Sequence, residues 1–164
     1  MLLNSNLANL HTGRDAKITA NSLQNSKASV DVQGNMEADL GSLTNQDSAY
    51  LGVGKNAVIN TSNNFTNKNL GNIFVTKNLT INSIGDFLNE DGLVAIGGSG
   101  TISANNITNQ NKAGVKHGSL INAAGDLSLT AEDTVLNRSS DIESEGNISI
   151  KAKNLVNKKE IFET

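Results

Sequence analysis

The amino-acid sequence predicts an all-β fold: a single parallel β-helix spanning residues 1–164, with coils of about 20–22 residues. Three observations predict it. First, an apolar-x-Asn tripeptide returns along the whole chain, ending at Asn4, Asn25, Asn45, Asn67, Asn89, Asn109, Asn137 and Asn157. The intervals between these asparagines are 21, 20, 22, 22, 20, 28 and 20 residues. Second, the stretch before each later tripeptide alternates inward and outward residues with a period of two, the mark of a half-buried strand. Third, Gly and Asn punctuate these stretches where a coil must turn, since both tolerate positive φ.

The last unit shows the plan most clearly. Gly146-Asn147 is a turn, and Ile148, Ile150 and Ala152 then alternate with Ser149, Lys151 and Lys153 as a first side. Leu155 points inward again after a corner, and Asn157 closes a short second side. Ala16/Ile18/Ala20 before Leu23, Met36/Ala38/Leu40 before Leu43, and Ile102/Ala104 before Ile107 repeat the arrangement. Three units have one extra residue before the inward Phe65, Phe87 or Val135. Inside a strand an extra residue would reverse every following side chain, so the insertion marks a corner. Less regular segments, Ala28–Val32, Ile73–Val75 and Leu93–Ile96, read as strands of a third side. Gly71, Gly92, Gly114, Ser48 and Ser140 cluster at its start.

Stacked at the inter-strand spacing of about 4.8 Å, seven coil-to-coil steps predict a rod on the order of 34 Å long. A helical solenoid fails on pattern, because five-residue alternating segments broken by Gly and Asn leave no room for helices. The recurrent asparagines fit the coil as scaffold. An amide has an acceptor oxygen and two donor protons, so Asn25, Asn45, Asn67, Asn89, Asn109, Asn137 and Asn157 are expected to bond up and down the axis as a ladder. Asn also accepts bent backbone, which is expected to place these residues at corners.

Composition sets further bounds. Asparagine supplies 26 of the 164 residues, and there is no Pro, Cys or Trp. Without Cys there are no disulfides or thiolate metal sites. Net charge is −3, with 13 basic and 16 acidic residues spread along the chain, which argues against nucleic acid as a partner. No apolar run approaches the length of a bilayer span. Met1–Thr12 does not have the layout of a signal peptide.

Units such as Gly125-Asp-Leu-Ser-Leu-Thr-Ala131 with Val135-Leu-Asn137, and Gly146-Asn-Ile-Ser-Ile-Lys-Ala152 with Leu155-Val-Asn157, resemble the filamentous haemagglutinin repeat. The resemblance extends over essentially the whole chain. It belongs to the exoproteins of bacterial two-partner secretion, which include adhesins and effectors of contact-dependent growth inhibition. It implies a right-handed parallel β-helix, export through an outer-membrane transporter, and display at the cell surface as a filament. On this basis the chain is expected to be an interior stalk segment, secreted and extracellular, projecting an adhesive or toxin-delivering tip. A receptor or glycan on a host or neighbouring cell would be met through the full-length protein. The repeat carries no catalytic residues, so no enzyme activity and no cofactor are expected.

A polysaccharide-processing β-helix enzyme is the alternative from a different class, and the passenger of an autotransporter is a third reading. The enzyme would need convergent carboxylates. Glu132, Asp133, Glu143, Glu145, Glu90 and Asp91 are the nearest candidates, but they occupy different offsets within the coil. His11 and His117 lie far apart, with no carboxylate at ligand spacing. The functional expectation falls instead on the 28-residue interval. Its surplus lies near 110–119 and emerges as a loop, in which Lys112, Lys116 and His117 are candidates to contact an anionic glycan or surface. A loop lengthened by drift at little cost explains the interval as well. Open strand edges at both ends predict end-to-end association of the isolated chain.

Overall fold

The computed structural model describes residues 1–112 and 118–159. The chain forms a parallel β-solenoid of about seven turns, with three short strands to a coil. The first coils run β1 (Leu2–Ser5), β2 (Asn9–Thr12), β3 (Ala16–Ala20), then β4 (Leu23–Ser26), β5 (Ser29–Val32), β6 (Met36–Leu40). Next come β7 (Leu43–Gln46), β8 (Tyr50–Val53), β9 (Ala57–Thr61), then β10 (Phe65–Lys68), β11 (Asn72–Val75), β12 (Leu79–Ser83). They continue with β13 (Phe87–Glu90), β14 (Leu93–Ile96), β15 (Gly100–Ala104), then β16 (Ile107–Gln110), β17 (Leu120–Ala123), β18 (Leu127–Ala131). The last are β19 (Thr134–Arg138), β20 (Asp141–Ser144), β21 (Ile148–Lys151) and β22 (Asn154–Lys158).

Every third strand joins the same sheet. Sheet A stacks β1-β4-β7-β10-β13-β16-β19-β22 and contains the apolar-x-Asn tripeptides. Sheet B stacks β2-β5-β8-β11-β14-β17-β20, and sheet C stacks β3-β6-β9-β12-β15-β18-β21. All pairings are parallel, and they match like with like: Phe65 faces Phe87, Ile81 faces Ile102, and Asn67 faces Asn89.

Alternation sends three columns of side chains inward. Sheet A contributes Leu23, Leu43, Phe65, Phe87, Ile107 and Val135; sheet C contributes Ala38, Ile59, Ile81, Ile102 and Leu129; sheet B contributes Val30, Leu51, Ile73, Val94 and Ile121, all essentially inaccessible. Each large aliphatic member stabilises its coil by about 1.5–3 kcal/mol relative to exposure. The Phe65 and Phe87 rings stack at 5.3 Å between centroids, which carries the sheet A column through the widest coils.

The extra residues sit at corners. Two residues link β6 to β7, whereas three link β9 to β10 and β12 to β13. The longer corners turn the Asn63 carbonyl toward the interior, where the hydroxyls of Thr61 (2.9 Å) and Ser83 (2.7 Å) lie against it. A hydroxyl thus replaces the apolar residue found at that inward position in shorter coils. At the corner from sheet A to sheet B, left-handed backbone absorbs the length difference. Lys27, Asp91 and Ser139 are single positive-φ residues in two-residue corners, while Asn6–Leu7, Asp47–Ser48 and Asn69–Leu70 are consecutive pairs in three-residue corners.

Here the structure corrects one expectation. The ladder asparagines are not corner residues: they lie within strands of sheet A, and the bent backbone falls two positions later. Their amides need straight, repeating backbone to stay in line with the coil above.

Candidate functional site: the loop between sheets A and B and its flank

Polar side chains bind the coils at each corner and in the strands beside it. The inner row is the asparagine ladder: each Nδ2 donates to the next Oδ1, at 2.9 Å from Asn4 to Asn25, then 2.8, 2.9, 2.8, 2.8, 2.9 and 3.0 Å up to Asn157. The same nitrogens reach a main-chain carbonyl of sheet B in the next coil: Tyr50 for Asn25, Leu93 for Asn67, and Asp141 for Asn109. From Asn25 to Asn109 these residues are buried almost completely.

Two outer rows were not anticipated. Asp15, Asn35, Asn56, Asn78, Ser99, Asp126 and Asn147 each precede a strand of sheet C. The side-chain oxygen of each accepts the main-chain N–H of the next, at 2.7 Å from Asn35 to Asp15 and 2.8 Å from Asn147 to Asp126. At the corner between sheets C and A, Asn64, Asp86 and Asn106 do the same. Asn35 holds the Asp15 carboxyl below the usual carboxylate range, chiefly through that main-chain hydrogen bond. Hydrogen bonds from Asn69 and then Ser26 lower Asp47 likewise.

The long interval leaves this framework undisturbed. Nine residues separate β16 from β17, where the other corners between these sheets use two or three. The chain leaves and re-enters at one point. Asn111 N–H donates to the Arg138 carbonyl (3.0 Å), Lys112 N–H to Asp91 Oδ1 (2.8 Å), and Leu120 N–H to the Gly92 carbonyl (3.0 Å). The buried Ser119 hydroxyl closes the neck by donating to the Gln110 carbonyl. Asp91, nearly buried, is therefore part of the loop's anchor, and Lys112 is held at the base with its side chain exposed. Lys116 and His117 lie outside the described residues. Beside the loop, Arg138 Nη2 donates to Gln110 Oε1 (2.7 Å), and Gln110 Nε2 donates to Glu90 Oε2 (2.6 Å), a row of base, amide and acid on the outer face of sheet A.

The adjoining face of sheet B carries residues that sequence reasoning passed over. Tyr50 and Phe74 point outward and are 40% and 48% exposed. The Tyr50 ring lies across Gly52: a Cβ there would sit 2.4 Å from ring carbon Cε1 and 2.7 Å from Cζ. Phe74 is the register partner of Gly52 in the next coil, so the two aromatics occupy neighbouring coils of one flank. Leu93, Ala95 and Leu120 extend the strip to the foot of the loop. The signal was present in the sequence as aromatics at outward parity, Phe74 between inward Ile73 and Val75, and as a glycine two residues after Tyr50.

A shallow groove of about 670 Å³ runs over the outer face of sheet C, lined in part by Asp39, Asn60, Asn82 and Ile84. Its polar groups are engaged with one another, Asn60 Nδ2 donating to Asp39 (2.8 Å) and Asn82 Nδ2 to Asn60 (2.9 Å). The carboxylates weighed above stay apart. Asp91 belongs to the loop anchor, Glu90 accepts from Gln110 on the outer face of sheet A, and Glu143 accepts from Asn122 on sheet B. Among the described residues no three His, Asp or Glu side chains gather as a metal site would require, and no helix is long and apolar enough to cross a membrane. No family model, curated protein or solved structure matches the chain.

Proposed function

We propose that this chain is a stalk segment of a secreted bacterial surface filament, of the kind its filamentous haemagglutinin-like repeats suggest. Its role is to project an adhesive or toxin-delivering tip, and any adhesion of its own belongs to the flank of sheet B beside the 111–119 loop. The observation that carries this reading is the unbroken ladder from Asn4 to Asn157, buried from Asn4 to Asn137. A structure that spends the same polar group on the same bond in every coil is built for axial length and stiffness. The long interval, whose ends are fixed at Lys112 and Ser119, and the aromatic strip are departures from that repetition, and those ends and the strip lie at one flank.

Antibodies against the chain test the stalk reading by labelling intact cells of the producing bacterium. The expected result is surface label that disappears when the outer-membrane transporter is deleted. Label confined to the cell interior would overturn it. Replacing residues 111–119 by Asp-Gly, the corner used at Asp91-Gly92, tests the flank; reduced attachment to cells with folding intact is expected. Release of oligosaccharides from acidic polysaccharides by the purified chain would instead favour the enzyme class.

A further inference from the structure

Tyr50 and Phe74 stand in solvent on the outer face of sheet B, whereas Phe65 and Phe87 are buried. The Tyr50 ring lies over Gly52 of its own strand, which leaves a ring face turned outward. Covering a glycine accounts for Tyr50. It does not account for Phe74, because the three atoms nearest a Cβ at Gly52 all belong to Tyr50. The register sets the neighbours along the axis as His11, Asp31, Gly52 beneath the Tyr50 ring, Phe74, Ala95 and Asn122. One coil below the rings the Asp31 carboxylate is fixed in place, accepting from His11 Nδ1 (2.8 Å) and from Gln33 Nε2 (3.2 Å). From β8 to β17 the outer face carries no charge. Acids bound it on both sides, Asp31 below and Asp141 and Glu143 above.

We propose that this strip binds a neutral glycan of equatorially substituted pyranose residues, laid along the axis with its rings stacked on Tyr50 and Phe74. Such a sugar presents a flat face of C–H groups, slightly positive, to the negative face of an aromatic ring. Its hydroxyls project from the ring edge. A carboxylate accepts more than two hydrogen bonds, so Asp31 has capacity left for a sugar hydroxyl beside the Tyr50 ring. Charge selects the glycan, since Asp31, Asp141 and Glu143 repel uronate and sulfate groups at either end of the strip. Size excludes a protein. The uncharged strip runs three coil steps, about 14 Å, and is two outward residues wide, about 7 Å. That is far below the roughly 800 Å² each partner gives up in a stable protein interface, and it suits a single extended chain. In either lateral orientation a second copy would also set Asp31 against its own Asp31 or against Asp141 and Glu143. The assignment rests on the reading of this flank as the adhesive one and names the ligand it takes.

Calorimetry and tyrosine fluorescence of the full chain test this with cellohexaose and chitohexaose, both neutral and equatorially substituted, against heparin and alginate. Tyr50 is the one tyrosine and there is no tryptophan, so its emission reports the strip. Saturable binding of a neutral hexasaccharide, with a change in that emission, is expected. Phe74→Leu keeps the apolar bulk and removes the ring, and should weaken binding by at least about tenfold. Phe74→Tyr should retain it, and Thr101→Val on sheet C should leave it unchanged. Circular dichroism checks the fold, and Tyr50→Leu followed by calorimetry replaces Phe74→Leu if that variant unfolds. No binding of either hexasaccharide at millimolar concentration, tighter binding of heparin or alginate, or an affinity unchanged in Phe74→Leu would each overturn the proposal. Self-association of the chain that Phe74→Leu abolishes would give the strip to a second copy and overturn it too. The assay uses purified chain and free sugars, so its failure removes the glycan and leaves surface display, tested by labelling of cells, standing.

Discussion

Asn67 Nδ2 donates to Asn89 Oδ1 across 2.8 Å in an environment that excludes water from both residues. The same nitrogen reaches the carbonyls of Gly71 (3.0 Å) and Leu93 (3.2 Å), so one amide satisfies its own corner and two elements of the coil above. Asn67→Ala leaves those carbonyls, Asn45 Nδ2 and Asn89 Oδ1 short of a partner where no solvent can replace it. The expected loss is about 3 kcal/mol in urea unfolding. Asn4→Ala, at an end of the row, should cost less than half as much. Equal losses at the two positions would show that the ladder does not derive its strength from burial.

The glycines differ in what they protect. At Gly41 an added Cβ would sit 2.1 Å from the Asn21 carbonyl oxygen, which belongs to fixed backbone. Gly41→Ala is expected to destabilise by about 2 kcal/mol. At Gly52 the obstacle is the Tyr50 ring, which swings away, so Gly52→Ala should cost less than about 1 kcal/mol. The chain has one tyrosine and no tryptophan, so its emission isolates that ring. Acrylamide quenching of tyrosine should rise in Gly52→Ala and stay unchanged in Gly41→Ala.

Corner length is a free variable and strand length is not. One alanine inserted between Gly41 and Ser42 converts a two-residue corner into the three-residue form seen at 62–64. The melting temperature should move by less than about 3 °C. The same alanine between Ala38 and Asp39 reverses the inward face of the rest of β6 and should abolish cooperative unfolding. Similar melting curves for the two insertions would contradict the assignment of these corners.

Acid should loosen the corners held by Asp15 and Asp47. Asp15 and Asp47 both titrate below the ordinary carboxylate range when folded, Asp15 through the Asn35 main-chain N–H and Asp47 through Asn69. A carboxyl whose pKa falls on folding stabilises the native state above its unfolded pKa of about 3.9, and that contribution disappears as pH drops through the lower folded value. The urea midpoint should therefore be flat near neutrality and fall below about pH 4. In the Asp15→Asn, Asp47→Asn double variant the acid slope should be shallower, since Asn already fills the position equivalent to Asp15 at Asn35, Asn56 and Asn78 and the position equivalent to Asp47 at Asn69. An unchanged slope would sink this account.

The parts of this fold that were legible in the sequence are those where one residue decides one contact. Leu23, Leu43 and Phe65 recur because each fills the same volume in the core, and their spacing reveals the coil directly. The αL positions left no such trace. Lys27, Asn69 and Ser139 share a backbone angle without sharing a side-chain type. The row from Asp15 to Asn147 leaves only turn signals in the sequence, since its bonds run between residues 20 to 27 positions apart and involve main-chain donors. At the candidate site the loop was visible as an excess of length. The Tyr50–Phe74 strip was missed because scarce aromatics were weighed by number and not by the face they occupy.

The register has one more consequence. Among the described residues no strand finds its partner more than 28 residues ahead, and most find it within 22. A chain made or threaded from its N-terminus therefore never has to hold a long unfinished stretch before the next coil can close on the last. Assembly becomes a matter of extension from whatever is already in place, and the order of the letters is also an order of construction.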